Sequence, residues 1–209
     1  MPNEDSKVCP IGHYCPLGTP YPIICGEGLT TNSTRKGSVK DCVPCPEGFY
    51  CLKHTTVSFV CPKGYYCPKG KSPIQCPSFT YNSQRGRTKL SDCLDCPAGF
   101  FCNSTGIANY KSYPCPQGHY CPQKYMPAPF ECPAGTFNSK TGVGKLSDCL
   151  SCTVGYYCPT ASVYPIPCRN GTFCPQGSSS PAPCKAGFYC PSLIGALQGC
   201  PGAFFCSIP

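Results

Sequence analysis

The spacing of the cysteines constrains this chain more than any other feature. Of 209 residues 24 are cysteine, and the pattern Cys-x5-Cys occurs nine times. The nine copies are Cys9/Cys15, Cys45/Cys51, Cys61/Cys67, Cys96/Cys102, Cys115/Cys121, Cys152/Cys158, Cys168/Cys174, Cys184/Cys190 and Cys200/Cys206. The other six cysteines bound three longer loops, 25–42, 76–93 and 132–149, with sixteen residues inside each. Each of those loops runs into a CxxC, at Cys42/Cys45, Cys93/Cys96 and Cys149/Cys152. Cysteine above ~8–10% marks a covalently stapled scaffold from an oxidising compartment, which excludes an ordinary cytosolic enzyme. Spacing this regular marks a tandem array whose small units touch mainly their neighbours.

Higher-order blocks open at Cys9, Cys61, Cys115 and Cys168. The sequence therefore divides into cysteine-rich repeats at 9–60, 61–114 and 115–167, followed by three short copies with a 16-residue period over 168–206. One unit reads CPEGFYC (45–51). Pro after the first Cys fixes φ and stops helix propagation. Gly stands at the fourth place in eight of the nine copies, where it lets the chain double back. An aromatic precedes the second Cys in all nine: Tyr14, Tyr50, Tyr66, Phe101, Tyr120, Tyr157, Phe173, Tyr189 and Phe205. These rings are expected to pack on the disulfides and on the next unit, as a ladder that replaces an aliphatic core. The long loops end KGSVKDC, RTKLSDC and VGKLSDC; alternation around Val39, Leu90 and Leu146 predicts a short strand there, paired in a minimal two-stranded ribbon. Pro interrupts nearly every helical window. The expected class is a small disulfide-rich fold: an elongated tandem array with short β-ribbons and turns and almost no helix.

The segment CPAGTFNSKTGVGKLSDCLSC (132–152) resembles the ephrin-receptor-like cysteine-rich repeat, which belongs with the small disulfide modules of tumour-necrosis-factor-receptor and EGF-like style. The likeness covers 25–45, 76–96 and 132–152, although the first loop opens CGEG and the second CPSF. It implies that the Cys opening each loop pairs with the first Cys of the CxxC, giving 25–42, 76–93 and 132–149. The tandem CPxGxYC units depart from that pattern and resemble those of cysteine-rich surface proteins in protists and other eukaryotes. For the remaining eighteen cysteines two pairings are open. Local pairing across Cys-x5-Cys closes every copy without an orphan, and the Gly makes so short a loop feasible. Staggered pairing, as 174–184 and 190–200, leaves Cys206 to find a partner elsewhere.

The formal charge is +8, and eight of the seventeen Lys and Arg fall in the long loops: Arg35, Lys36, Lys40, Arg85, Arg87, Lys89, Lys140 and Lys145. Glu27, Asp41, Asp92 and Asp148 offset them, so these read as solvated loops, with a periodic anion-binding ridge as the alternative. The compartment and the absence of a recognition motif argue against nucleic acid. Zinc needs four converging ligands, whereas each CxxC belongs to the repeat and the only histidines are His13, His54 and His119. No nucleophile motif, paired catalytic carboxylates or phosphate-binding loop occurs, so no cofactor and no enzymatic activity are expected. The start, Met1-Pro-Asn-Glu, carries no apolar leader and no window reaches the ~18 apolar residues of a membrane span, which points to a segment of a longer secreted or surface protein. Three sequons, at Asn32, Asn103 and Asn170, predict N-linked glycan. The sequence thus reads as an extracellular structural or spacer array that meets other copies or a scaffold protein. A receptor ectodomain segment with a protein ligand, or a glycan- or polyanion-binding surface, is the alternative.

Overall fold

The computed structural model describes residues 8–52, 57–122 and 126–200. The chain divides into two compact units, one built on Met1–Asp95 with Cys102–Asn109, the other on Cys96–Phe101 with Tyr110–Pro209. Among the described residues there is no α-helix, and every sheet is an antiparallel ribbon of two strands.

Each strand is two residues long, and all ten ribbons follow one rule. The dipeptide after the unit's fourth residue pairs with the dipeptide before the next unit's opening Cys. Thus His13–Tyr14 pairs with Ile23–Ile24, Tyr65–Tyr66 with Ile74–Gln75, and Tyr156–Tyr157 with Ile166–Pro167. The long loops obey the same rule through the two residues inside their CxxC. Leu29–Thr30 pairs with Val43–Pro44, Thr80–Tyr81 with Leu94–Asp95, and Thr136–Phe137 with Leu150–Ser151.

A two-stranded ribbon this short is not stable by itself, and covalent closure supplies what the ladder lacks. Disulfides join Cys9–Cys15, Cys45–Cys51, Cys61–Cys67, Cys115–Cys121, Cys152–Cys158, Cys168–Cys174 and Cys184–Cys190. The longer bridges are Cys25–Cys42, Cys76–Cys93 and Cys132–Cys149. Cα–Cα separations of 5.6–6.3 Å lie in the range a disulfide spans without moving the backbone. Cys96, Cys102 and Cys200 are disulfide-bonded as well, while Cys206 lies outside the described residues. In the chain-entropy treatment each short loop contributes about 2 kcal/mol and each long one about 3. The core is made of the same atoms: among the described residues 18 of 22 buried apolar side chains are half-cystines, joined by Ile107, Met126, Val143 and Ile194.

Hydrogen bonds tie consecutive repeats together in a fixed scheme. In the first unit Cys25, Cys45, Cys61 and Cys76 donate their N–H to the carbonyls of Gly12, Gly28, Gly48 and Gly64, each in the preceding repeat, at 2.7–2.9 Å. Gly48 N–H in turn donates to Cys67 O at 2.9 Å. The second unit repeats this with Cys115, Cys132, Cys152, Cys168 and Cys184 donating to Gly99, Gly118, Gly135, Gly155 and Gly171. A residue with positive φ then closes each repeat onto the one before: Gly70 N–H donates to Cys45 O, Gly86 to Cys61 O, Gly142 to Cys115 O and Leu193 to Cys168 O.

The ring before the second half-cystine is half-buried from Tyr14 through Phe173 and exposed at Tyr189; Phe205 lies outside the described residues. Two of these rings stack on their cross-strand partners, Tyr50 on Phe59 with centroids 5.5 Å apart and Tyr120 on Phe130 at 5.6 Å. At those two positions the ring is used inside its own ribbon, against the directly opposed residue.

The strand expected around Val39, Leu90 and Leu146 lies elsewhere. Val39–Asp41, Leu90–Asp92 and Leu146–Asp148 are single 3-10 turns, and the paired strand follows the loop's closing Cys. The aspartate is the reason. Asp41 Oδ2 accepts from the N–H of Gly37 and Ser38 at 3.2 and 3.0 Å, Asp92 Oδ2 from Thr88 and Lys89 at 2.9 and 3.1 Å, and Asp148 Oδ2 from Lys145 at 3.2 Å. A carboxylate that satisfies the amides entering a turn favours the turn over a strand.

Candidate functional site

The three long loops are the recurring elaboration of the repeat, and the structure gives all three a common anatomy. Read by backbone role, CGEGLTT (25–31), CPSFTYN (76–82) and CPAGTFN (132–138) are further copies of the short unit whose seventh residue is not Cys. Thr31, Asn82 and Asn138 occupy that seventh place and are buried at 1–3% exposure. Gly64 N–H donates to Asn82 O, and Gly118 N–H to Asn138 O, both at 2.8 Å. The Thr31 hydroxyl accepts from Gly12 N–H at 2.8 Å. The Asn side chains are fully engaged: Asn82 Nδ2 donates to Tyr65 O at 2.8 Å and Oδ1 accepts from Gln84 N–H at 3.0 Å. Asn138 Nδ2 reaches His119 O and Lys140 O, both at 3.0 Å. With the half-cystine replaced by a polar residue, the loop's opening Cys is released to pair seventeen residues downstream. The chain therefore holds twelve opening cysteines of one kind, at 9, 25, 45, 61, 76, 96, 115, 132, 152, 168, 184 and 200. The signal in the sequence was the Gly at the fourth place in two of the three loops. Phe79 occupies that place in the other and adopts φ +68.

Each long loop also carries a shallow groove and an exposed aliphatic pair. The grooves are lined by Ile11, Asn32, Val43 and Val57 at the first loop, by Asn82, Arg87, Asp92 and Leu94 at the second, and by Asn138, Lys140, Asp148 and Leu150 at the third. The aliphatic pairs are Val39 and Val43, Leu90 and Leu94, Leu146 and Leu150, every one more than 40% exposed. A fourth groove, of about 700 Å³, lies between Tyr157, Ile166, Arg169, Thr172 and Leu193 in the second unit.

The cationic loops are partly neutralised where they stand. Lys36 Nζ lies 3.8 Å from Asp41, Arg87 lies 3.9 Å from Asp92, and Arg87 also donates to Gln84. Asp92 titrates below the usual aspartate range. The Thr88 N–H is the largest cause, opposed by partial burial and reinforced by the Lys89 N–H and the charges of Arg87 and Lys89. His13 and His119 turn Nδ1 towards the carbonyls of Ile11 and Gln117, at 3.2 and 2.9 Å, while His54 lies outside the described residues. No group of three or more metal-ligating side chains occurs among the described residues. Nor is any of their helices long and apolar enough to cross a membrane. Asn32, Asn103 and Asn170 are all exposed.

This architecture is that of a cysteine-rich repeat protein, a tandem array of disulfide-closed units. No family model matches the chain. It is similar to cysteine repeat modular protein A of Toxoplasma gondii, with 26% identity over 154 residues. The match covers 69% of this chain and 5% of that protein's length.

Proposed function

We propose that this chain is a non-enzymatic, extracellular structural array, serving as a spacer or as a building block of a surface coat or fibre. Its finer kinship would be with the ephrin-receptor-like repeats that its long loops resemble. The observation that carries the reading is the repetition of one surface: the same aspartate-capped turn, cationic loop and exposed aliphatic pair recur at all three long loops. A surface that recurs suits a partner that recurs, and an identical array is the simplest such partner. The half-cystine core supports an oxidising, extracellular setting, where such bridges persist.

Sedimentation of the secreted chain over a range of concentrations tests this. Association that grows with concentration and is abolished by Leu90→Asp, Leu94→Asp, Leu146→Asp and Leu150→Asp together is expected. A chain that stays monomeric throughout, and instead takes up a single saturating protein ligand, would make it a receptor ectodomain segment.

A further inference from the structure

We infer that the groove at the first long loop is built to hold the N-linked glycan of Asn32, so that the sugar is a fixed part of the surface rather than a free appendage. The inference rests on the extracellular reading above. Asn32 opens the sequon Asn32-Ser33-Thr34 and is itself part of the groove wall. The other walls are Ile11, Thr30, Thr31, Val43, Pro44, Pro46, Val57 and Ser58, around a space of about 430 Å³. Within it Ile11, Val43 and Val57 are exposed at 38, 41 and 56%, an apolar patch open to water beside a glycosylation acceptor.

The chemistry matches on both sides. An N-acetylglucosamine ring has an apolar face and an acetyl methyl, which suit the valines. Its amide and hydroxyls need hydrogen-bond partners, and the hydroxyl-bearing residues Thr30 and Ser58 are among the lining; the Thr30 hydroxyl donates to Thr31 O at 3.3 Å, which leaves its oxygen to accept. The volume falls within the ~300–1,000 Å³ typical of small-ligand sites. The attachment residue is itself part of the wall, so the sugar loses little translational freedom on docking and weak contacts suffice to hold it.

Asn103 provides an internal control. It is an exposed sequon in the same compact unit but lines none of the four grooves, and its Thr105 hydroxyl is turned to Gln75 Oε1 at 2.6 Å. Asn170 stands between Arg169 and Thr172, which both line the groove of about 700 Å³, but is not itself part of that wall.

The test is native-state release of each glycan by an amidase, followed site by site by mass spectrometry on the full chain secreted from a eukaryotic host. The Asn32 glycan is expected to leave roughly tenfold more slowly than the Asn103 glycan, which corresponds to about 1.4 kcal/mol. Val43→Ser with Val57→Ser should erase that difference while leaving the Asn103 rate unchanged. Should that double variant misfold, NMR of the unmodified protein decides: cross-relaxation between the proximal acetyl methyl and the methyls of Val43 and Val57 is expected. Asn32 and Asn103 glycans released at equal rates, or no such cross-relaxation, would overturn the inference and leave the extracellular reading standing. All three sequons emerging unmodified would overturn the expectation of N-linked glycan and the inference with it.

Discussion

Replacing Gly64 by Ala probes the close contact between alternate repeats. Gly64 has φ +80, accepts from Cys76 N–H at 2.9 Å and donates to Asn82 O at 2.8 Å. A Cβ placed on it would lie less than 3.0 Å from the carbonyl of Gly106, which is backbone and has no flexible end to yield. Gly18 shares the conformation, at φ +85, but a Cβ there meets nothing within 4 Å. Both substitutions cost the left-handed strain of about 1–2 kcal/mol, and both recover the same small stabilisation from a less flexible unfolded chain. Only Gly64→Ala adds an overpacking term, about 1–3 kcal/mol for a forced backbone shift. The difference between the two variants therefore isolates the inter-repeat contact. Urea unfolding with disulfides intact, together with hydrogen exchange at Asn82 and Gly106, reads it out. Gly64→Ala is expected to lose about 1–3 kcal/mol more than Gly18→Ala and to speed exchange at both amides. Equal losses would refute the close stacking of alternate repeats.

Three further outcomes follow from the same geometry. Asn82→Ala removes the Nδ2 bond to Tyr65 O and the Oδ1 bond from Gln84 N–H inside a buried site, so it should cost about 1–3 kcal/mol by thermal unfolding. Asp92 is held below its ordinary range when folded, so its contribution is complete above the unfolded value of about 3.9 and is lost as pH falls through the folded value. Asp92→Asn should accordingly flatten the acid limb of the stability curve below about pH 4 and leave the neutral region parallel to it. Leu193 is half exposed at φ +62, where Gly142 and Gly177 play the same role in sister repeats. Leu193→Gly should raise the melting temperature by about 1–3 °C, because the left-handed strain of about 1–2 kcal/mol that it relieves is partly offset by the freedom a Gly adds to the unfolded chain.

Much of this fold is readable from cysteine spacing, which marks the repeat but leaves local and staggered pairing open; the structure takes the local one across Cys-x5-Cys. The two-residue ribbons follow from the same closure. Less legible was the identity of the long loops as ordinary units. Asn82 and Asn138 preserve the backbone hydrogen bond of the half-cystine they replace, and backbone role leaves no mark on a spacing pattern that counts only cysteines. The strand expected at Val39, Leu90 and Leu146 failed for a local reason. Those residues are aliphatic, but the aspartate two positions later caps the amides and curls the segment into a turn. The groove at the first loop was not legible at all, since it forms where several repeats meet, with Ile11, Val43 and Val57 in its wall.

The central claim is that every repeat is closed by its own disulfide and that the long loops are the same repeat with a displaced closure. Mapping the bridges by digestion of the native, non-reduced protein tests it most directly. Recovery of Cys25–Cys42, Cys76–Cys93 and Cys132–Cys149, together with Cys168–Cys174 and Cys184–Cys190, is the predicted result. Bridges staggered between repeats, as Cys174 to Cys184 and Cys190 to Cys200, or abundant free thiol, would contradict it.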